Sequence, residues 1–254
     1  MNRYGRAMLS SEDYRWFENR YLRAGELWDA VVCAIGRLWS PPLPQKVLEV
    51  GCASGRFLLW LYKGKHIPCG VEPSQELLEE ARKNLPDVIQ LWHTPIEDLP
   101  FEDKSFDTVF FMLSLEYAVD PIKALREAFR VARYTVIIVS FNAYSPSYWF
   151  AKFSAWVEKN PVVYCRTIRQ SSLIAMTELA AGVPLHVTRE PATWKEIGVG
   201  ALIFSPIIVN RFDFTQCVAI RSSSPYRFVP STAHSPYEGI SLQNRNVHQR
   251  GAKP

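Results

Sequence analysis

The run Glu49-Val50-Gly51-Cys52-Ala53-Ser54-Gly55 stands where a short apolar stretch gives way to a helical pattern. Glycines at such a strand-to-helix turn let the backbone approach a ligand closely, where free amides and the positive end of the helix dipole meet it. Alone, the motif is equally a tight turn without a ligand, and Ala53 stands where a third glycine is frequent. Glu72, about twenty residues on, changes the balance, because an acid at the end of the next strand can accept hydrogen bonds from both hydroxyls of a ribose. Its plain alternative is a solvent-facing carboxylate. Turn and acid together predict a nucleoside site. The spacing departs from Gly-x-Gly-x-x-Gly, which weakens a reading as an NAD-dependent dehydrogenase.

Positioning these residues requires alternating strands and helices, and the chain supplies them after an N-terminal amphipathic helix. Phe17, Tyr21, Ala24, Trp28, Val31, Ile35 and Leu38 recur at three and four residues, with a break at Gly25, up to the proline-rich linker Ser40-Pro41-Pro42-Leu43-Pro44. Short apolar runs then alternate with helical ones, as in a parallel sheet with crossover helices. Val47 to Val50 is the first strand, Arg56 to Lys63 a helix, and Gly70-Val71-Glu72 the end of the second strand. Ser74 caps a helix with Leu77, Leu78, Ala81 and Leu85 on one face. Val88 to Trp92 is a weaker third strand and Phe106 to Met112 a central fourth. Asp120-Pro121 starts the next helix, and Thr135 to Phe141 is the fifth strand. An insertion follows, helix-like over Tyr148 to Trp156 and irregular over Pro161 to Gln170. A helix over Ser171 to Ala181, a sixth strand over Leu185 to Thr193 and a seventh over Phe212 to Ile220 complete the expected pattern.

Composition narrows the function classes. At 254 residues and 48% hydrophobic, the chain can bury a real core, yet no apolar run approaches the roughly 20 residues that span a bilayer. Charges near Met1 leave no apolar signal segment, so a cytoplasmic location is expected. Cys33, Cys52, Cys69, Cys165 and Cys217 are widely spaced, without a Cys-x-x-Cys pair, so neither a disulfide framework nor a metal site is expected. The net charge of +4 comes from residues 221–254, which hold Arg221, Arg227, Arg245, Arg250 and Lys253 against Glu238 alone. A neutral body with a basic, Ser- and Pro-rich tail argues against a nucleic-acid enzyme and for a solvated tail.

Four segments in order resemble class I S-adenosylmethionine-dependent methyltransferases, particularly the ubiquinone/menaquinone-biosynthesis type (methyltransferase type 11). They are Val47 to Phe57; Gly70 to Ser74; Ile96 to Phe101 with Ser105-Phe106-Asp107; and Ala124 to Val131. The resemblance implies an α/β, Rossmann-like, doubly wound seven-stranded sheet with helices on both faces. It divides the chain into an N-terminal helical cap and linker over 1–44, a methyltransferase domain over 45–221 with an inserted lid at about 143–170, and a basic flexible tail over 222–254. S-adenosylmethionine is the implied cofactor. Glu49, Gly51, Cys52, Ala53 and Gly55 would surround its methionine part and Glu72 would hold its ribose. Pro73, Ile96 and Glu97 would meet the adenine, and Met112 and Leu113 would lie beneath the sulfonium. Pro95 replaces a residue that is often polar in the family, and Val131 to Thr135 lacks its usual Pro-Gly-Gly turn.

Methyl transfer needs alignment more than a catalytic triad. Where the acceptor must lose a proton, His93, Glu116, Tyr117, Asn142, Tyr144 and His186 are candidate bases by position, each equally readable as a packed or surface side chain. Tyr144, Tyr148, Trp149 and Phe153, with Phe150 and Trp156, follow the fifth strand where open sheets bind ligands, and favour a small apolar or aromatic acceptor. Packing onto the core or a homodimer contact would use the same aromatics. The alternative function is a non-catalytic nucleoside-binding or interaction protein that keeps the fold.

Overall fold

The computed structural model describes residues 26–157, 165–192 and 207–214. Of the expected N-terminal helix, Phe17, Tyr21 and Ala24 lie outside the described residues, and Trp28, Val31, Ile35 and Leu38 lie in α1 (Glu26–Leu38). Then follow β1 (Lys46–Val50), α2 (Arg56–Lys63), β2 (Ile67–Glu72), α3 (Gln75–Asn84), β3 (Gln90–His93) and β4 (Phe106–Met112). A 3-10 turn (Leu115–Tyr117) leads to α4 (Pro121–Val131), β5 (Ala132–Phe141) and α5 (Pro146–Val157). The described chain ends with α6 (Gln170–Ala181), β6 (Leu185–Pro191) and β7 (Ile207–Phe214). The 222–254 tail, Cys217 and residues 161–164 of the irregular stretch lie outside the described residues.

The seven strands form one sheet in the order β3-β2-β1-β4-β5-β7-β6. The first five are parallel, whereas β7 runs antiparallel to β5 and β6 antiparallel to β7, so the sheet is mixed rather than wholly parallel. The seventh strand lies five residues earlier than the pattern suggested. Ile207, Ile208 and Val209 pair with Phe141, Ser140 and Val139; these three isoleucine and valine residues are buried, Ile207 and Val209 in the core that α1 covers. The third strand begins two residues later than expected, after Ile89, which turns back onto the Pro86 carbonyl.

Alternation along the central strands sends side chains to two cores. Leu48, Val109, Phe111, Val136 and Ile138 pack with Leu125, Phe129 and Leu173 of α4 and α6. Val47, Phe110, Ile137 and Val139 pack on the other face with Trp28, Ile35 and Phe57 of α1 and α2. The caps behave as their chemistry dictates. The Ser74 hydroxyl accepts the Leu77 amide at 3.5 Å, and Asp120 accepts the amides of Ile122 and Lys123 at 3.0 and 3.1 Å. Where a Pro-Gly-Gly turn is missing, no linker exists: α4 ends at Val131 and β5 begins at Ala132.

Candidate active site

The carboxyl ends of β1, β2 and β4 open into a cavity of about 430 Å³. Its floor is the turn after β1. Gly51 and Cys52 both donate their amides to the Val71 carbonyl, at 2.9 and 3.0 Å, which folds the turn across β2. Gly51 has φ +76°, and a Cβ there would stand 2.6 Å from the Ser114 Cβ, so this crossing of β1 and β4 admits only glycine. Gly55, at φ +84°, caps α2; its own added Cβ would strike Leu85 at 2.5 Å. Gly55 therefore serves packing and does not line the cavity, unlike Glu49, Gly51, Cys52 and Ala53.

Glu72 stands at the next strand end with both oxygens engaged. One accepts the Ala53 amide and the other the Ser74 amide, each at 2.9 Å. An ionised carboxylate has about four acceptor sites, so capacity is left for a ligand's hydroxyls. Burial pushes the Glu72 carboxyl upward, opposed by these amides and the neighbouring His93. Glu49 is pushed up further by its own burial and by the Glu72 charge, and one of its oxygens is buried without a hydrogen-bond partner among the described residues. Two crowded carboxyls beside one cavity suit a ligand that brings hydroxyls and positive charge. The Cys52 thiol, raised by burial and by the same carboxyls, stays protonated and unreactive.

The rest of the wall comes from several elements. Pro73 and Ile96 line one end, with His93, whose Nε2 lies 3.0 Å from the Pro73 carbonyl. Glu97 lines it too, but its carboxylate is engaged by the amides of Val119 and Asp120 at 2.8 and 3.2 Å. Met112 and Leu113 follow β4 into the cavity. Leu113 holds φ +55°, a conformation strained for a large side chain, secured by its amide on the Val139 carbonyl at 3.0 Å.

Of the candidate bases, His93 and Tyr117 line the cavity, Glu116 lies buried behind it, and Asn142 is buried with its side-chain oxygen on the Tyr144 amide. Tyr144 is 58% exposed and does not line the cavity. His186 lies on edge strand β6, opposite Asp213 of β7, away from the cavity. The aromatics of the insertion divide: Tyr148 is 4% exposed, tilted against Phe141 with its hydroxyl 2.8 Å from Thr167, whereas Trp149 and Phe153 are more than half exposed. Trp28, Val31, Arg56, Phe57 and Phe141 also line the cavity. Sequence pattern placed Trp28 and Val31 in a helical stripe, and nothing in such a stripe tells a cavity wall from a core. Arg56, directly after Gly55, carries the one legible signal: a cation at a ligand turn, here 4.7 Å over the Trp28 ring.

A sheet of this order, with a glycine turn after β1 and an acid ending β2, is the fold of S-adenosylmethionine-dependent methyltransferases, whose methyl donor is S-adenosylmethionine. Residues 48–139 match the family model described as a methyltransferase domain. Among solved structures it is similar to a SAM-dependent methyltransferase, possible histamine N-methyltransferase, from Thermotoga maritima, with 25% identity, a TM-score of 0.57, and 80% of this chain and 94% of that one covered. Among curated relatives, 2-methyl-6-phytyl-1,4-hydroquinone methyltransferase 1 of Oryza sativa subsp. japonica is 28% identical over 43% of this chain and 34% of its own length. Demethylmenaquinone methyltransferase of Clavibacter sepedonicus is 31% identical over 42% of this chain and 44% of its own. The chain thus spans less than half the length of these relatives. No described helix is long and apolar enough to cross a membrane.

Proposed function

We propose that this chain transfers a methyl group from S-adenosylmethionine to a small, fairly apolar or aromatic acceptor. The observation that carries the reading is the Glu72 carboxylate, held by the amides of Ala53 and Ser74 at the edge of a cavity that also holds Glu49. In this reading Glu72 takes the ribose hydroxyls, and the turn from Gly51 to Ala53 takes the methionine part. Pro73, Ile96 and Glu97 surround the adenine, while Met112 and Leu113 lie beneath the sulfonium. When bound, S-adenosylmethionine supplies an electrophilic methyl group, whose bond to sulfur breaks with its electron pair left on sulfur as the acceptor's lone pair bonds to carbon.

The protein's own contribution is alignment and exclusion of water. Trp28, Val31, Phe57 and Phe141 give the cavity apolar walls suited to an aromatic acceptor. The two curated relatives described above are named for a hydroquinone and for demethylmenaquinone, which agrees with that chemistry. The segment over 143–170 would cover the acceptor, with Tyr144, Tyr148, Trp149 and Phe153 as its aromatics. A proton released by the acceptor would leave through the open cavity to water. The second reading, a nucleoside-binding protein without activity, draws on one observation: burial holds the phenol of the cavity-lining Tyr117 firmly protonated, so it is no ready base.

Calorimetric titration with S-adenosylmethionine, S-adenosylhomocysteine and NAD, followed by a product assay over substituted hydroquinones, separates the readings. Binding of the first two ligands with turnover of at least one hydroquinone is expected. Binding without turnover of any acceptor favours the second reading, and preference for NAD overturns both.

A further inference from the structure

Behind the wall formed by Tyr117 and Phe141 lies a carboxyl to which the proposed function gives no task. Glu116 lies in the turn after β4 and is buried. Its Oε1 accepts the Phe141 amide at 2.9 Å, and its backbone carbonyl accepts the Arg166 amide at 3.0 Å. One residue thus ties the ends of β4 and β5 to the segment that leads into α6. Its Oε2 is fully buried with no hydrogen-bond partner among the described residues, and Glu116 forms no ion pair among them. A purely structural tie needs one acceptor oxygen, which a neutral glutamine would supply without an ionisable group in the interior.

We propose that Glu116 is a positioning residue of the methyl-transfer centre: its carboxylate, set behind the cavity-lining Tyr117 and Phe141, stabilises positive charge at the sulfonium and at the acceptor atom that receives the methyl. The inference rests on the methyltransferase reading. It deepens that reading by favouring acceptors, such as hydroxyls or amines, that still hold their proton as they attack. Charge placed in a site poor in water acts strongly where charge moves during reaction.

The surroundings leave this role to Glu116 on its side of the cavity. Tyr117 beside it, Tyr148 on α5 and Cys165 ahead of α6 are all kept protonated by burial. Lys152 on α5 is engaged by the Tyr148 hydroxyl, the Thr167 hydroxyl and the Cys165 carbonyl, and the Arg166 guanidinium reaches the Val119 carbonyl. Glu97 is engaged by the amides that precede α4. Across the cavity, Glu49, Glu72 and His93 share the cofactor end. Burial lifts the Glu116 carboxyl to about 7, so near neutrality a cation entering the cavity would draw off its proton to solvent.

The test uses the whole chain and needs no acceptor. Affinities for cationic S-adenosylmethionine and neutral-sulfur S-adenosylhomocysteine are measured between pH 6 and 8. The wild-type ratio of the two should favour the cation increasingly, by about threefold to tenfold, as Glu116 ionises. In Glu116→Gln, which keeps an oxygen for the Phe141 amide, that rise should vanish. Calorimetry at pH 7 in buffers of different ionisation enthalpy should show extra proton release with S-adenosylmethionine in the wild type alone. A ratio flat with pH in the wild type, or one that rises equally in Glu116→Gln, overturns the proposal while the methyltransferase reading stands. If the variant does not fold, the rise and the proton release must persist in Glu49→Gln, whose carboxyl also lines the cavity and is also raised by burial; their loss there overturns the proposal. Binding of neither ligand overturns both.

Discussion

Both oxygens of Glu72 are occupied by backbone amides before any ligand arrives, so the carboxylate is oriented in advance by the turn it serves. Glu72→Ala should weaken S-adenosylhomocysteine binding by about 1.5–3 kcal/mol, the range for lost hydrogen bonds to a charged group, as measured by calorimetry. An unchanged affinity would remove Glu72 from the site. Gly51→Ala should reduce binding and thermal midpoint together, because the new Cβ meets Ser114 at 2.6 Å as well as filling the cavity floor. Glu116 adds a pH dependence whose sign follows from its carboxyl rising from 4.5 to about 7 on folding. The folded state then holds the proton more tightly, so its contribution is complete below about 4.5 and is lost as pH rises through 7. Chemical denaturation should show stability falling between pH 5 and 8, by on the order of 3 kcal/mol from this group, with the slope flattened in Glu116→Gln. Gly51 and Glu72 were legible because their roles belong to the backbone and to spacing. The position of Glu116 raised it only as one of several bases, since neither its burial nor its Phe141 partner is written in local pattern. His186 carried no signal that its strand would lie at the sheet's far edge.

At the scale of elements, boundaries were most legible where capping chemistry sets them. Ser74 and Asp120-Pro121 stand where expected, and Gly182, left-handed at φ +63°, ends α6 directly after the expected Ala181. Helix α5 was legible as a helix but not in its division of labour. Tyr148 faces Phe141 and Thr167, whereas Trp149, Phe150, Phe153 and Trp156 are exposed, because an almost wholly apolar helix carries no polar stripe to reveal its outer side. Tyr148→Ala should lower stability by about 2–4 kcal/mol in denaturant unfolding, as deletion of a buried ring does. Trp149→Ala should leave both stability and S-adenosylhomocysteine affinity nearly unchanged and slow turnover of the acceptor. A stability loss as large as that of Tyr148→Ala would assign Trp149 to the core and remove it from the proposed lid.

Over the whole molecule, alternation of strand and helix predicted the five parallel strands, and their order places the glycine turn and the acid side by side. The last two strands were read less well. An antiparallel strand slipped between β5 and β6 breaks the parallel alternation, and its apolar run, Ile207 to Val209, sits close behind Ser205-Pro206, which reads as punctuation. That insertion has a consequence for biosynthesis. β5 holds Val136 to Val139, all completely buried, yet the strand that closes its edge is encoded roughly seventy residues later. A nascent chain leaving the ribosome therefore carries an open, strongly apolar edge until residue 214 has emerged. Ribosome-bound chains stalled near residue 190 should engage a chaperone such as trigger factor or aggregate on release, whereas chains stalled well past residue 214 should be soluble and resistant to protease.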